Sequence, residues 1–177
     1  MSLERIYQEY RELNNNPISN CGITVGLANN DSYRDWRVSM AGPSDTFYKG
    51  GLFILNVHFP ENYPNEPPEV CFLTPIYHLN VKSKIERNEE DHKLGNVCIS
   101  TLNWWKPEYK IREVLHNIYL LFYCQNPNSA YGTEKSKEYT ECREVYDEKV
   151  KYFTKKYANT ERKFKENDIK KDWDFSL

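Results

Sequence analysis

Leu3, Ile6, Tyr10 and Leu13 recur at the spacing of one helix face, and Asn14-Asn15-Asn16-Pro17 stops them. Residues 2–14 are therefore expected to form a helix, with Ser2 able to cap it. Glu4, Arg5, Gln8, Glu9, Arg11 and Glu12 fall on the other face, which reads as solvated or as a partner-docking surface. A period of two then takes over. Residues 21–27 are apolar with β-branched content, and Trp36, Val38 and Met40 alternate through 34–40. Phe53, Leu55, Val57 and Phe59 share one face of 52–59, and 69–73 give a short fourth strand. The connections are short and rich in turn residues, which favours an antiparallel meander over βαβ crossovers.

Between the third and fourth strands, residues 60–68 carry Pro60, Pro64, Pro67 and Pro68. Proline fixes φ and removes amide donors, so this is a rigid loop, with one X–Pro bond a candidate for cis, and it presents residues 62–66 outward. Helical spacing returns at 109–124, where Ile111, Val114, Leu115, Ile118, Leu121 and Phe122 form a stripe broad enough for a central helix packed on the sheet. Residues 133–158 are helical again, with Tyr139, Tyr146, Val150, Phe153 and Tyr157 on the apolar side and a break near 140–142. These elements make one α+β core domain over 1–158, followed by a charged extension, 159–177. Between Val81 and Lys93 charge crowds the chain and only Val81 and Ile85 are apolar, as in a mobile surface loop able to gate the segment after Lys93.

A net charge of −2 gives no basic surface for nucleic acid. No apolar run approaches the roughly 18 residues of a membrane span, and the first residues do not form a signal peptide. A cytoplasmic or nuclear monomer is expected. The five cysteines, Cys21, Cys71, Cys98, Cys124 and Cys142, are odd in number and form no CxxC pair, so free thiols are expected rather than a disulfide scaffold. The histidines lack ligand spacing with them, and no metal is expected. Cys21, Cys71 and Cys124 lie in apolar elements and read as small buried hydrophobes. Cys98 differs: it follows the Gly95-Asn96 turn, sits between Val97 and Ile99, and is a candidate nucleophile.

Taken in order, Gly42-Pro43, Tyr48-Lys49-Gly50-Gly51, the proline loop, Tyr77-His78-Leu79-Asn80, Gly95-Asn96-Val97-Cys98, Trp105-Lys106-Pro107 and Asn126-Pro127 resemble the ubiquitin-conjugating (E2) family from Leu3 to about Ala158. The resemblance implies the UBC fold: an N-terminal helix, a four-stranded antiparallel meander, a central helix and two C-terminal helices. It implies that Cys98 accepts the C-terminal glycine of ubiquitin from an activating enzyme (E1) as a thioester, then passes it to a lysine amine or a ligase (E3) cysteine. A thiol suits this role, because thiolates attack readily and thioesters acylate amines. No cofactor is implied for this chain, since ATP is used by the activating enzyme.

Asn80 matches the asparagine of the family's His-Pro-Asn motif. It either donates to the oxyanion formed as lysine attacks or braces the loop carrying Cys98. His78 is implied to hold that loop by hydrogen bonds, with Tyr77 as its packing neighbour. Leu79 replaces the motif's proline, the charged loop before Cys98 is long, and Ser129 falls where an aspartate often orients or deprotonates the lysine. Arg5 matches a basic position used with activating enzymes and ligases. Asn65 replaces an apolar ligase anchor, and Lys106 and Pro107 lie in the second docking loop. The same motifs also resemble the branch that conjugates the ubiquitin-like modifier NEDD8, and a non-catalytic binding module of this fold is the reading from another class.

Overall fold

A computed structural model describes residues 2–29, 32–83 and 95–159. The first helix, α1 (Ser2–Asn15), is followed by β1 (Ile23–Leu27), β2 (Asp35–Ala41), β3 (Leu52–His58) and β4 (Glu69–Phe72). These form one sheet in the order β1-β2-β3-β4, with every neighbouring pair antiparallel. The meander and its four strands stand where the two-residue alternation puts them, to within two residues at each end.

Pairing Val38 with Leu55 and Leu55 with Phe72 stacks one apolar face across the central strands. Trp36, Val38, Met40, Phe53, Leu55, Val57, Val70 and Phe72 are buried on it. Against this face lies α3 (Ile111–Leu121), whose Ile111, Val114, Leu115, Ile118 and Tyr119 are buried, with Phe122 just beyond its end. Apolar burial of this extent contributes the main drive to fold, at roughly 25 cal/mol per Å² removed from water. The C-terminal pair α4 (Thr133–Glu141) and α5 (Arg143–Tyr157) is split at Cys142, and Tyr146, Val150, Phe153 and Tyr157 face inward. Its end is tied to the sheet where the Leu52 amide donates to the Ala158 carbonyl at 2.8 Å.

The structure corrects several expectations. Glu9 is buried, 3% exposed, rather than on a solvated face. It sits three residues after Ile6 and four before Leu13, so it lies on the apolar stripe itself. Its carboxylate accepts from the Arg5 guanidinium, from Tyr63 Oη at 2.9 Å and from the Ile111 amide at 2.7 Å, which offsets the cost of burying the charge. Tyr63 turns inward from the proline loop to make that contact, while Asn62, Asn65 and Glu66 face out; the peptide bond Tyr63–Pro64 is cis. Leu3, at the start of the stripe, is 53% exposed. Cys124 is exposed, because the chain leaves the helix at Leu121 and turns before reaching it. Val81, Lys82 and Ser83, expected in the charged surface loop, are buried. The rest of that loop (84–93) and residues 160–177 of the extension lie outside the described residues.

Candidate active site around Cys98

The segment carrying Cys98 is fixed by its own glycine. Gly95 has φ of +81°, and a Cβ there would lie 2.1 Å from the Phe72 carbonyl oxygen. Only glycine fits this approach without strain. The close contact lets the Phe72 amide donate to Gly95 O at 2.8 Å and the Gly95 amide donate to Lys82 O at 2.9 Å. Isolated bridges Cys71↔Asn96 and Val81↔Val97 continue the pairing on both sides. Residues 95–98 are thus a short extended piece held between the β4 edge and residues 81–82. Cys98 is half-buried at the end of this piece, and its amide donates to Asn80 O at 2.8 Å. A short helix, α2 (Ser100–Asn103), begins two residues later. It is placed by contact with α3, where Asn117 Nδ2 donates to Thr101 Oγ1 at 3.3 Å. At its end Asn103 Nδ2 donates to Cys98 Sγ at 3.3 Å.

Asn80 is fully buried. Its side-chain NH₂ donates to Asn126 O at 2.8 Å and Ser129 O at 2.9 Å, and its Oδ1 accepts the Asn126 amide at 2.9 Å. Both ends of the side chain are therefore committed to the segment Asn126–Ser129, where a 3-10 turn spans Pro127–Ser129 and Asn126 Oδ1 caps it by accepting the Asn128 amide. The contact from Asn80 to the piece carrying Cys98 is made by its backbone carbonyl, which accepts the Cys98 amide. Ser129 comes to the same cluster through its carbonyl, and its hydroxyl lies 3.3 Å from Asn126 Nδ2.

The turn that carries Asn80 is held from below. His78 is buried, its Nε2 donates to Leu121 O at 3.1 Å, and its Nδ1 accepts the Asn80 amide at 2.9 Å. Those roles fix one neutral tautomer. Burial pushes the ring's pKa down to about 4, since a charge there would lose its hydration. Tyr77 points the other way: it packs on Tyr146 and Phe153 and donates to Glu138 Oε2 at 2.7 Å, so the ring beside His78 is Tyr48 rather than Tyr77. The Leu79 amide, which a proline would lack, donates to Tyr146 Oη at 3.0 Å with Gln125 Oε1 at 3.2 Å. Buried Lys135 donates to His78 O at 3.1 Å and Val81 O at 2.7 Å. Sequence reading missed Lys135, Gln125 and Tyr146 as supports of the turn. Lys135 precedes Tyr139 by one helical repeat, so its place on the apolar stripe was the available signal.

The predicted partner residues of the two docking loops lie on linked segments. Asn65, Lys106 and Pro107 are exposed. Trp105 ties the loops together by donating to Pro64 O at 2.7 Å and by packing on Tyr63 and Tyr109, while neighbouring Trp104 is 78% exposed. Arg5 faces the same end, but its guanidinium pairs with Glu9 and donates to Tyr109 O at 3.2 Å. The sequence profile of the ubiquitin-conjugating enzyme family matches residues 5–154, spanning α1 through most of α5. With the helix–meander–helix architecture in agreement, this chain belongs to the ubiquitin-conjugating enzyme family.

Proposed function

We propose that Cys98 accepts ubiquitin from an activating enzyme as a thioester and hands it to a lysine amine or to a ligase cysteine. The observation that supports this reading is a half-exposed thiol at the end of a segment pinned on both sides, in the Gly95-Asn96-Val97-Cys98 stretch that resembles the family's acceptor motif. No cofactor is needed by the chain itself, because its acylating partner is already a thioester. In this reading Asn80, His78, Tyr77 and Ser129 keep the turn beside Cys98 in one shape. Asn65, Lys106 and Pro107 belong to the docking face for activating enzyme and ligase, with Trp104 supplying the apolar area that Asn65 does not.

Incubation with activating enzyme, ATP and ubiquitin, and in parallel with NEDD8 and its own activating enzyme, tests the proposal. The expected result is an adduct with ubiquitin that thiol reductant removes, that Cys98→Ala abolishes, and that becomes reductant-resistant in Cys98→Ser. An adduct with NEDD8 alone reassigns the modifier. Failure to form either adduct overturns the thioester mechanism and leaves the non-catalytic binding module.

A further inference from the structure

The sulfur of Cys98 needs a partner whenever it is negative, and the side chain that the family's motif suggests is occupied elsewhere. Asn80 spends its two amide hydrogens on the Asn126 and Ser129 carbonyls. In segments 95–103 and 126–131 there is no Asp, Glu, Lys, Arg or His. In segment 77–83, His78 has both ring nitrogens engaged within the turn, and Lys82 is buried in the backbone pairing beside Gly95. Among the described residues, the side-chain donor on Sγ is Asn103 Nδ2 at 3.3 Å. The Asn103 side chain is exposed, and the backbone that carries it is held near the sulfur. The Asn103 amide donates to Ile99 O at 3.0 Å, the Trp104 amide donates to Ser100 O at 2.8 Å, and α2 is anchored to α3 through Thr101 and Asn117.

We propose that Asn103 is a catalytic residue of the transfer, donating a hydrogen bond to Cys98 Sγ in both half-reactions. This rests on the thioester reading above. In loading, the Cys98 thiol loses its proton to solvent, and the thiolate attacks the carbonyl carbon of the incoming thioester. A new S–C bond forms, the donor's S–C bond breaks, and the departing thiolate takes up a proton. In discharge, the lysine nitrogen attacks the same carbonyl carbon, the Cys98 S–C bond breaks, and the amine's proton finally balances the released thiolate. Sγ carries charge as nucleophile in the first step and as leaving group in the second, whereas the resting thioester sulfur is a poor acceptor. A donor at Sγ therefore favours each charged transition state over the uncharged sulfur that precedes it, the thiol before loading and the thioester before discharge, the condition for raising the rate. Because it lies five residues after Cys98, at the end of the short helix that follows, it needs no movement of the Asn80 turn.

The test compares the intact protein with Asn103→Ala, Asn103→Asp and Asn103→Gln. One readout is the rate of Cys98 alkylation at one fixed pH, followed on the Cys98 peptide so that exposed Cys124 and Cys142 do not contribute. The others are the rates of loading and of discharge to free lysine. Asn103→Ala is expected to slow alkylation and both transfers by about tenfold. Asn103→Asp should slow them further, by repulsion of the thiolate, and Asn103→Gln should restore most of the parent rates. Unchanged rates of alkylation, loading and discharge in both Ala and Asp variants, with the parent protein loading normally, overturn the role of Asn103. A parent protein that loads neither ubiquitin nor NEDD8 overturns the thioester reading instead, and the alkylation rates alone then decide the contact.

Discussion

Replacing Leu79 by the proline usual in this family is expected to weaken the protein. The Leu79 amide donates to Tyr146 Oη at 3.0 Å, with Gln125 Oε1 at 3.2 Å, in a fully buried position. Proline removes that donor, at about 1 kcal/mol for a hydrogen bond of this kind. The exchange also trims buried apolar surface by roughly one methylene, another ~1 kcal/mol. Against this, stiffening the unfolded chain returns at most about 1 kcal/mol where the native φ suits proline. The balance is a loss of about 1–2 kcal/mol in Leu79→Pro. Urea unfolding of Leu79→Pro, Tyr146→Phe and the double variant separates the parts. With Tyr146 already lacking its hydroxyl, Leu79→Pro should cost about 0.5–1 kcal/mol less. Stabilisation by Leu79→Pro, or equal cost in both backgrounds, would show that the amide bond to Tyr146 does not hold this turn.

Four other outcomes rest on the same contacts. His78 has its pKa lowered to about 4 in the fold against about 6.5 unfolded, so the unfolded chain binds its proton first on acidification. Stability is fully present above 6.5 and falls as pH drops towards 4, by up to ~3 kcal/mol from this group, and an NMR titration of the ring with its midpoint near 6.5 would refute that. Asn80→Ala removes three hydrogen bonds to Asn126 and Ser129 and should cost about 3 kcal/mol in chemical denaturation; a loss below about 1 kcal/mol contradicts the bracing role. Tyr63→Phe takes one donor from buried Glu9 while Arg5 and the Ile111 amide remain, for about 1–2 kcal/mol by the same measurement. Trp104→Ala, at a position 78% exposed, should leave the melting temperature within about 1 °C while reducing ligase-stimulated discharge.

Strands and helices were legible because each has one apolar face, and periodicity reports a face directly. That is why the sheet, the α3 stripe and the break at Cys142 fell where the pattern put them. The short helix α2 escaped, since Ser100–Asn103 buries no residue and so leaves no stripe. Glu9 and Lys135 escaped for the opposite reason: they occupy apolar positions but are satisfied by distant partners, Ile111 and Tyr63 for one, His78 and Val81 for the other. A polar residue on an apolar stripe announces burial without saying what will meet it. Around Cys98 the motif located the thiol and its turn, but which asparagine touches sulfur depends on where side-chain hydrogens go in three dimensions. One-dimensional spacing carries no record of that.

The turn at residues 77–81 is fastened by Tyr146, Glu138 and Lys135, all from the last two helices. A ribosome delivers those helices after the cysteine and its neighbours have already emerged. The nascent chain therefore exposes its thiol for a time without the framework that shapes its surroundings, and that framework arrives only when the far end docks. Shortening the protein within α4 or α5 is, by this logic, equivalent to removing the floor of the turn beside Cys98, even though every residue near the sulfur is still present.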